Sequence, residues 1–192
     1  YHGNFVPQIV SQLLERYTQE QDVLVDLFLG SGTSAIEAHR LNRRCIGVEL
    51  QPRMVDYVQQ KLLEINADKN TQVLQGDSSD PVWTGKKINQ ALSRWQQSHA
   101  QFVMMHPPYA DIIRFSESDK DLSNAGSTTA FLQGFSRVAQ LAFNILQPGR
   151  FCALVMGDKY SDGEWIPLGF YCMQQLNQAG FKTKSIVIKN MA

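Results

Sequence analysis

The residues with the clearest chemical potential lie where an apolar segment gives way to glycines. The segment VLVDLFLGSGTSAIEA passes through Asp26 into a turn that contains Gly30 and Gly32. Glycines let the backbone of a turn approach a ligand closely, and a helix predicted to begin at Thr33 or Ser34 offers free N–H groups. The Gly-x-Gly spacing lacks the third glycine of a dinucleotide-binding motif, so alone it indicates only a ligand-binding turn.

Two further acidic residues follow the next two predicted strands. Glu49 closes the segment IGVEL, and Asp77 follows Gln75 and Gly76. A nucleoside lying across the carboxyl ends of parallel strands meets Gly30, Glu49 and Asp77 in order, with Glu49 placed to accept hydrogen bonds from a ribose diol. The alternative is a plain strand–turn–helix unit in which the acids only cap helices.

A pair of prolines marks the end of the fourth predicted strand, in the sequence Met105-His106-Pro107-Pro108-Tyr109. The prolines fix φ and remove two N–H donors, which predicts a rigid bend with two backbone carbonyls facing outward. Such acceptors suit an exocyclic amino group, and the Tyr109 ring suits stacking on a flipped base. The alternative is an ordinary proline-rich turn.

Alternating strands and helices are needed to bring these residues together, and the sequence predicts them. The predicted strands are 23–29, 44–50, 72–75, 101–105, 151–156 and 181–188. The predicted helices are 7–17, 34–41, 53–65, 128–146 and 168–178. Repeated strand–helix units predict a doubly wound α/β fold, with a mostly parallel sheet and helices on both faces. The length of 192 residues suits a single domain, 1–192.

Two predicted loops are long, residues 78–100 and 110–127. Loops of this length are often functional, and 110–127 is the candidate lid. Residues 182–189 are predicted to form a strand that would leave an unprotected sheet edge, so we expect the sheet to lack its last strand in this chain.

Composition limits the classes of partner and the cellular compartment. Eighteen basic and eighteen acidic residues give a formal net charge of zero, so any nucleic-acid-binding surface has to be local. Three widely spaced cysteines, Cys45, Cys152 and Cys172, form no metal-binding pattern and predict reduced, buried thiols. With no apolar run of membrane-spanning length, the sequence predicts a cytoplasmic protein with no membrane partner and no metal.

Taken together, these motifs resemble the S-adenosylmethionine-dependent amino-methyltransferases of DNA, the adenine-N6 and cytosine-N4 group. The family's segment before the first strand is similar to HGNFVPQIV, and its glycine loop is similar to DLFLGSGTSAIEA. Its ribose-binding acid lies in a segment similar to IGVEL, and its adenine-binding segment is similar to QGDSS. Its catalytic tetrapeptide resembles HPPY. The resemblance continues through YADIIRFS and VMGDKY…EWIPLGF, so it covers nearly the whole chain in one order.

The resemblance implies a Rossmann-like methyltransferase fold, S-adenosylmethionine as cofactor and duplex DNA as substrate, with the target base flipped out. It implies a role in restriction and modification, and a homodimer or partner subunit for sequence recognition. The implied cofactor-binding residues are Phe5, Asp26, Phe28, Gly30, Gly32, Thr33, Glu49, Asp77 and Ser78. The implied catalytic residues are His106, Pro107, Pro108 and Tyr109.

His106 stands where members of the family mostly carry Asp, Asn or Ser. A neutral imidazole accepts a hydrogen bond through one ring nitrogen, whereas an imidazolium does not. His106 therefore leaves open a decayed subunit that binds S-adenosylmethionine or DNA without activity. A second alternative is an amino-methyltransferase of RNA or of protein glutamine, because the resemblance extends to such enzymes, which also use Pro-Pro-Tyr after the fourth strand.

No separate region for reading a DNA sequence is visible, so the long loops are candidates for that task. Lys86, Lys87 and Arg94 occur near Trp83 and Trp95 in the first of them. Basic residues interleaved with aromatic ones suit a nucleic-acid strand. The alternative is that the tryptophans only anchor the loop on the domain.

Overall fold

Five parallel strands form the central sheet in the computed structural model of this chain, which describes residues 6–108, 118, 120–161 and 163–189. The strands are β1 (Val23–Asp26), β2 (Arg44–Glu49), β3 (Thr71–Gln75), β4 (Ala100–Met105) and β5 (Leu146–Leu154). Their order is β3-β2-β1-β4-β5. The chain runs outward from β1 in one direction and resumes at β4 on the other side of β1. This reversal opens a crevice at the carboxyl ends of β1 and β4, the usual ligand site of such sheets.

Helices cover both faces of the sheet. They are α1 (Pro7–Tyr17), α2 (Thr33–Arg40), α3 (Pro52–Glu64), α4 (Pro81–Ser93), α5 (Thr128–Ile145) and α6 (Leu168–Ala179). Residues of α1, α2 and α3 share one apolar core with one face of the sheet, and residues of α4, α5 and α6 share a second core with the other. Because β1 and β4 are buried along their whole lengths, their residues are almost all apolar on both sides. The predicted doubly wound parallel fold is confirmed.

The bounds of most elements differ from the predicted ones by one to three residues. The exception is β5, which begins at Leu146 and not at residue 151, because Leu146 pairs with Ala100 before a register shift. A small antiparallel hairpin, β6 (Lys159–Ser161) with β7 (Glu164–Ile166), follows β5 and was not predicted.

The prediction of a loop over residues 78–100 is wrong, because α4 occupies most of it. Asp80 caps this helix by accepting a hydrogen bond from the Trp83 N–H at 3.0 Å, and Pro81 occupies its first turn. An Asp-Pro pair is a strong helix-start signal. The weak amphipathic pattern of KKINQALS hid the helix, although Ile88 and Leu92 are fully buried.

The prediction of a strand over residues 181–188 is also wrong. Residues 181–189 form neither helix nor strand. The side chains of Ile186, Val187 and Ile188 are 55%, 88% and 80% exposed, respectively. Alternating β-branched residues form a strand only where a neighbouring strand supplies backbone hydrogen bonds, and these residues have no such neighbour within the described part of the chain.

Half of the predicted loop 110–127, residues 110–117 and 119, lies outside the described residues, so its role as a lid stays a prediction. Within it, Leu122–Asn124 forms a short 3-10 helix. The three cysteines are free thiols, with Cys45 and Cys172 buried and Cys152 partly exposed. Across the ranges that the structure covers, none of the helices is both long and apolar enough to cross a membrane.

Candidate active site

The carboxyl edge of the sheet brings the predicted site residues together. In the strand register Glu49 pairs with Gln75, and Asp26 pairs with both Gly47 and Met104. The glycine turn, Glu49, the Asp77 turn and the His106 segment therefore all emerge at this one edge.

Two glycines with left-handed backbone shape the turn between β1 and α2. Gly30 has φ of +54° and Gly32 has φ of +87°, a region that favours glycine. Gly32 is also the residue that precedes the first turn of α2. A Cβ atom at Gly32 would lie 2.8 Å from Cγ1 of Val58, so α3 packs too closely against the turn for a side chain. Thr33 follows as the first residue of α2, half-buried.

Asp26 lies beneath this turn and holds its shape. Its Oδ1 accepts a hydrogen bond from the Phe28 N–H at 2.9 Å, and its Oδ2 accepts one from the Ser34 hydroxyl. Burial raises the pKa of Asp26 to about 6, although these two hydrogen bonds favour the ionised form. Both oxygens thus bind the chain itself, while the Phe28 side chain is half-buried against the α4–α6 core.

Glu49 is oriented by two backbone donors. Its Oε2 accepts from the Gly30 N–H at 3.0 Å and its Oε1 accepts from the Gln51 N–H at 2.8 Å. Burial raises the pKa of its carboxyl, and the backbone N–H groups oppose that rise. Each oxygen keeps a second lone pair, so the carboxylate remains able to accept from a ribose diol.

Asp77 has one carboxylate oxygen engaged and one available. Its Oδ1 accepts from the N–H and the hydroxyl of Ser79, at 2.8 and 2.7 Å. Its Oδ2 accepts no hydrogen bond from the described residues. The buried Thr84 hydroxyl donates to the Asp77 carbonyl at 2.5 Å, and the Ser78 hydroxyl donates to the Leu27 carbonyl at 2.5 Å. Ser78 therefore joins the Asp77 turn to the end of β1.

His106, Pro107 and Pro108 follow β4 directly, next to the crevice. Pro107 is buried, while His106 and Pro108 are partly exposed. Burial lowers the pKa of His106 to about 4, so its imidazole is neutral at neutral pH. Tyr109 and Phe5 lie outside the described residues, so their predicted roles stay predictions.

These side chains fit S-adenosylmethionine better than a nucleotide with phosphates. Glu49 and Asp77 offer acceptors for a diol and an amino group, which adenosine carries. In a phosphate-binding turn, the backbone N–H groups point at the ligand. In this chain the Gly30 N–H already donates to Glu49. Two carboxylates at the rim repel phosphate and attract a sulfonium cation.

Sequence reasoning missed the residues that hold the acidic groups in place. Ser34, Ser79 and Thr84 donate to Asp26 or to the Asp77 turn. A signal existed for Thr84, because the Asp80-Pro81 start would have put it in the first turn of a helix beside Asp77. No local pattern separates the two serines from ordinary turn residues.

Several known proteins match parts of this chain in sequence. Residues 2–60 match the family model described as DNA methylase. The type II methyltransferase M.MjaII of Methanocaldococcus jannaschii is 30% identical over 74 residues, which cover 38% of this chain and 14% of that protein. The probable type III restriction-modification enzyme HindVI Mod subunit of Haemophilus influenzae is 30% identical over 119 residues, covering 62% of this chain and 13% of that protein. The chain thus spans about one seventh of the length of these relatives.

Solved structures share the fold at low sequence identity. TrmN from Thermus thermophilus superposes with a TM-score of 0.61 at 16% identity, over 93% of this chain and 42% of that one. A putative rRNA methylase from Clostridium thermocellum gives a TM-score of 0.55 at 16% identity, over 91% of this chain and 82% of that one. The architecture is that of Rossmann-like methyltransferases.

Proposed function

We propose, on the premise that this chain is a relative of the S-adenosylmethionine-dependent DNA amino-methyltransferases, that it methylates the exocyclic amino group of adenine or cytosine in DNA. One observation carries the proposal. The His106-Pro107-Pro108 segment follows β4 at the topological switch point, beside the glycine turn that follows β1. Acceptors for an amino group thus adjoin acceptors for adenosine.

S-adenosylmethionine is the cofactor, and three groups of this chain would hold it. Glu49 would accept from the ribose hydroxyls and Asp77 Oδ2 from the adenine amino group. The turn from Phe28 to Thr33 would surround the methionine end, with Asp26 and Ser34 keeping it in shape. When bound, S-adenosylmethionine supplies an electrophilic methyl group for direct transfer to nitrogen.

The His106 segment would bind and orient the target amino group. A neutral imidazole nitrogen and the Pro107 carbonyl would accept its two N–H groups, which directs the nitrogen lone pair away from them. With a pKa of about 4, His106 is a poor base, so we assign it a role as hydrogen-bond acceptor. The proton that leaves the amino group then passes to solvent, and no covalent enzyme intermediate is needed.

Reaching such an amino group in duplex DNA requires flipping the base, which costs a few kcal/mol of unstacking. In this proposal Tyr109 stacks on the flipped base and residues 110–127 close over it. Residues 1–192 act as one catalytic domain, and a second copy or a partner subunit contributes sequence recognition. The Mod subunit among the relatives supports the last element.

Incubation with labelled S-adenosylmethionine and mixed-sequence genomic DNA, followed by nucleoside analysis, tests the proposal. We expect label in N6-methyladenine or in N4-methylcytosine, which also decides the base. RNA and protein substrates run in parallel. Label in either of these, and none in DNA, would replace the proposed substrate class.

The methyl-transfer activity of His106→Asp distinguishes an active site that uses His106 as a neutral acceptor from a site that has lost activity because of His106. A site tuned around a neutral acceptor loses methyl transfer on this change, because a carboxylate alters both charge and shape. If the unaltered protein binds S-adenosylmethionine but labels nothing, and His106→Asp gains activity, the chain is a decayed subunit.

A further inference from the structure

The exposed side of α4 differs in charge from the rest of this electrically neutral chain. From residue 81 to residue 97 the sequence contains Lys86, Lys87 and Arg94 and no acidic residue. The neighbouring α5 likewise contains Arg137 and no acidic residue. On the opposite face, α3 balances two basic residues with two acidic ones. Residues 81–97 and α5 together therefore carry four basic residues and no acidic one, so this part of one helical layer has a net positive charge.

The first two turns of α4 present these charges beside the candidate active site. The Lys87 ammonium donates to the carbonyl of Gln75, the last residue of β3, at 2.6 Å. It also lies 5.7 Å from the centre of the Trp83 ring, which is 57% exposed. Lys86 is exposed and pairs with none of the described residues. We call Trp83, Lys86 and Lys87 the α4 face.

The two predicted tryptophan contacts differ in kind. Trp95 is half-buried against the α4–α6 core, and the Arg44 guanidinium lies 5.5 Å from its ring centre. It anchors the end of the helix. Trp83 and Val82, which is 83% exposed, have no comparable cover among the described residues. Of Trp83 and Trp95, Trp83 is therefore the one placed for an external partner.

Beside the α4 face, a groove between α4 and α5 has walls rich in hydrogen-bond donors. Asn89, Gln90 and Asn144 line it together with Lys86, and Leu141 lies in its floor. Amide and ammonium groups donate hydrogen bonds to phosphate oxygens, and no carboxylate of the described residues lines this groove to repel them. The groove therefore favours an acidic partner over a neutral one. Contacts to phosphates position a protein on DNA without reading its sequence.

We propose that the α4 face binds the phosphate backbone of the substrate DNA on one side of the target base, an inference that rests on the proposed function. Three strand spacings separate the end of β3 from the end of β4, about 14 Å. One DNA strand covers that distance in about four nucleotides, at about 3.4 Å each. Lys86 and Lys87 then contact phosphates about four nucleotides from the flipped base, and Trp83 packs against the adjoining sugar.

Equilibrium binding of a labelled duplex by the full chain at several salt concentrations tests this inference. Each phosphate contact adds about 0.9 to the slope of log K against log salt for duplex DNA. We expect Lys86→Gln/Lys87→Gln to weaken binding and reduce that slope by about 1.8. Trp83→Ala should weaken binding with the slope unchanged.

A matched pair on α3 provides the control. Tyr57 is 48% exposed, and the Lys61 ammonium lies 5.3 Å from its ring centre, so this pair repeats the Trp83–Lys87 arrangement on the other face. Lys61→Gln and Tyr57→Ala should leave both affinity and slope unchanged. Affinity for S-adenosylmethionine, measured by calorimetry, verifies that every variant folds.

The failures of the two proposals are distinguishable. If the double variant binds DNA with the unaltered slope, or Lys61→Gln has an equal effect, the α4 face is not the contact, although the proposed function stands. If the unaltered chain neither binds nor methylates DNA while it binds the cofactor, both proposals fail. If Lys86→Gln/Lys87→Gln binds DNA with the unaltered salt slope but no longer binds an acidic protein that the unaltered chain binds, the α4 face contacts a protein partner and not DNA.

Discussion

At the scale of single residues, the protonation state of His106 decides whether it is able to accept a hydrogen bond from an amino group. Burial lowers its pKa to about 4, whereas an ordinary imidazole has a pKa of about 6.5 and is partly charged near pH 6. We therefore expect kcat at saturating cofactor to stay constant from about pH 8 to about pH 6. A decline with a midpoint near 6.5 would show that His106 titrates normally and contradict this assignment.

Removing the His106 acceptor tests its role directly. We expect His106→Ala to lower kcat by about 100-fold, the scale for losing one preorganised hydrogen bond at a reacting group. His106→Asn, which retains an acceptor oxygen, should recover part of that loss. Calorimetry should give the same affinity for S-adenosylmethionine in both variants, and a parallel loss of cofactor affinity would indicate a structural role.

Asp26 predicts an unusual dependence of stability on pH. Its pKa rises from 3.8 to about 6 on folding. Between these values the folded protein holds a proton that the unfolded chain has lost, so the free energy of unfolding falls as pH rises, by up to about 3 kcal/mol. Asp26→Asn removes this contribution. The lowered pKa of His106 changes stability with pH in the opposite direction, so the test compares the unaltered protein with Asp26→Asn by urea unfolding at each pH. The stability of the unaltered protein relative to Asp26→Asn should fall between about pH 5 and about pH 7, and a constant difference would contradict the prediction.

At the scale of elements, the turn from β1 into α2 needs glycine at residue 32 for two separate reasons. Its φ is +87°, and a Cβ there would meet Val58 of α3. Gly149 has a similar φ of +80° with nothing within 4 Å of its Cβ position, so Gly149→Ala measures the backbone strain alone. We expect Gly149→Ala to cost about 1 kcal/mol of unfolding free energy and Gly32→Ala about 2 to 4 kcal/mol. Equal costs would show that α3 moves aside.

The same elements show what sequence patterns are able to predict. Buried strands such as VLVD and AQFVMM are continuous apolar runs, and each ends at a chemically distinctive residue, so the sheet and the acids at its edge were predictable. Helix α4 was missed because polar residues interrupt its apolar pattern. The segment at 181–188 was predicted as a strand because its residues have high β-propensity. A local pattern indicates that propensity, but it does not indicate whether a neighbouring strand is present to pair with the segment. The serines that hold Asp26 and Asp77 depend on contacts between distant segments.

At the scale of the whole molecule, the proposed cofactor site joins three strand ends, so cofactor binding should stabilise the entire chain. Ligand at about 100 times its Kd adds about 2.7 kcal/mol to the unfolding free energy, which for a chain of this size raises Tm by about 5–10 °C. We expect such a shift with S-adenosylmethionine. Nicotinamide adenine dinucleotide carries the same adenosine but also two phosphates, and the Gly30 N–H that would bind a phosphate already donates to Glu49. We therefore expect a smaller shift with this dinucleotide.

Substitutions at two strand ends should abolish the stabilisation by the cofactor without unfolding the protein. Glu49→Ala and Asp77→Ala each remove an acceptor that the sheet holds at its carboxyl edge. Glu64→Ala instead removes an exposed carboxylate at the last residue of α3, the end of that helix opposite to the edge. The thermal shift should vanish in the first two variants and persist in the third. A shift retained in both Glu49→Ala and Asp77→Ala would mean that adenosine does not lie across these strand ends. The crevice between β1 and β4 would then have to hold the cofactor by the glycine turn alone.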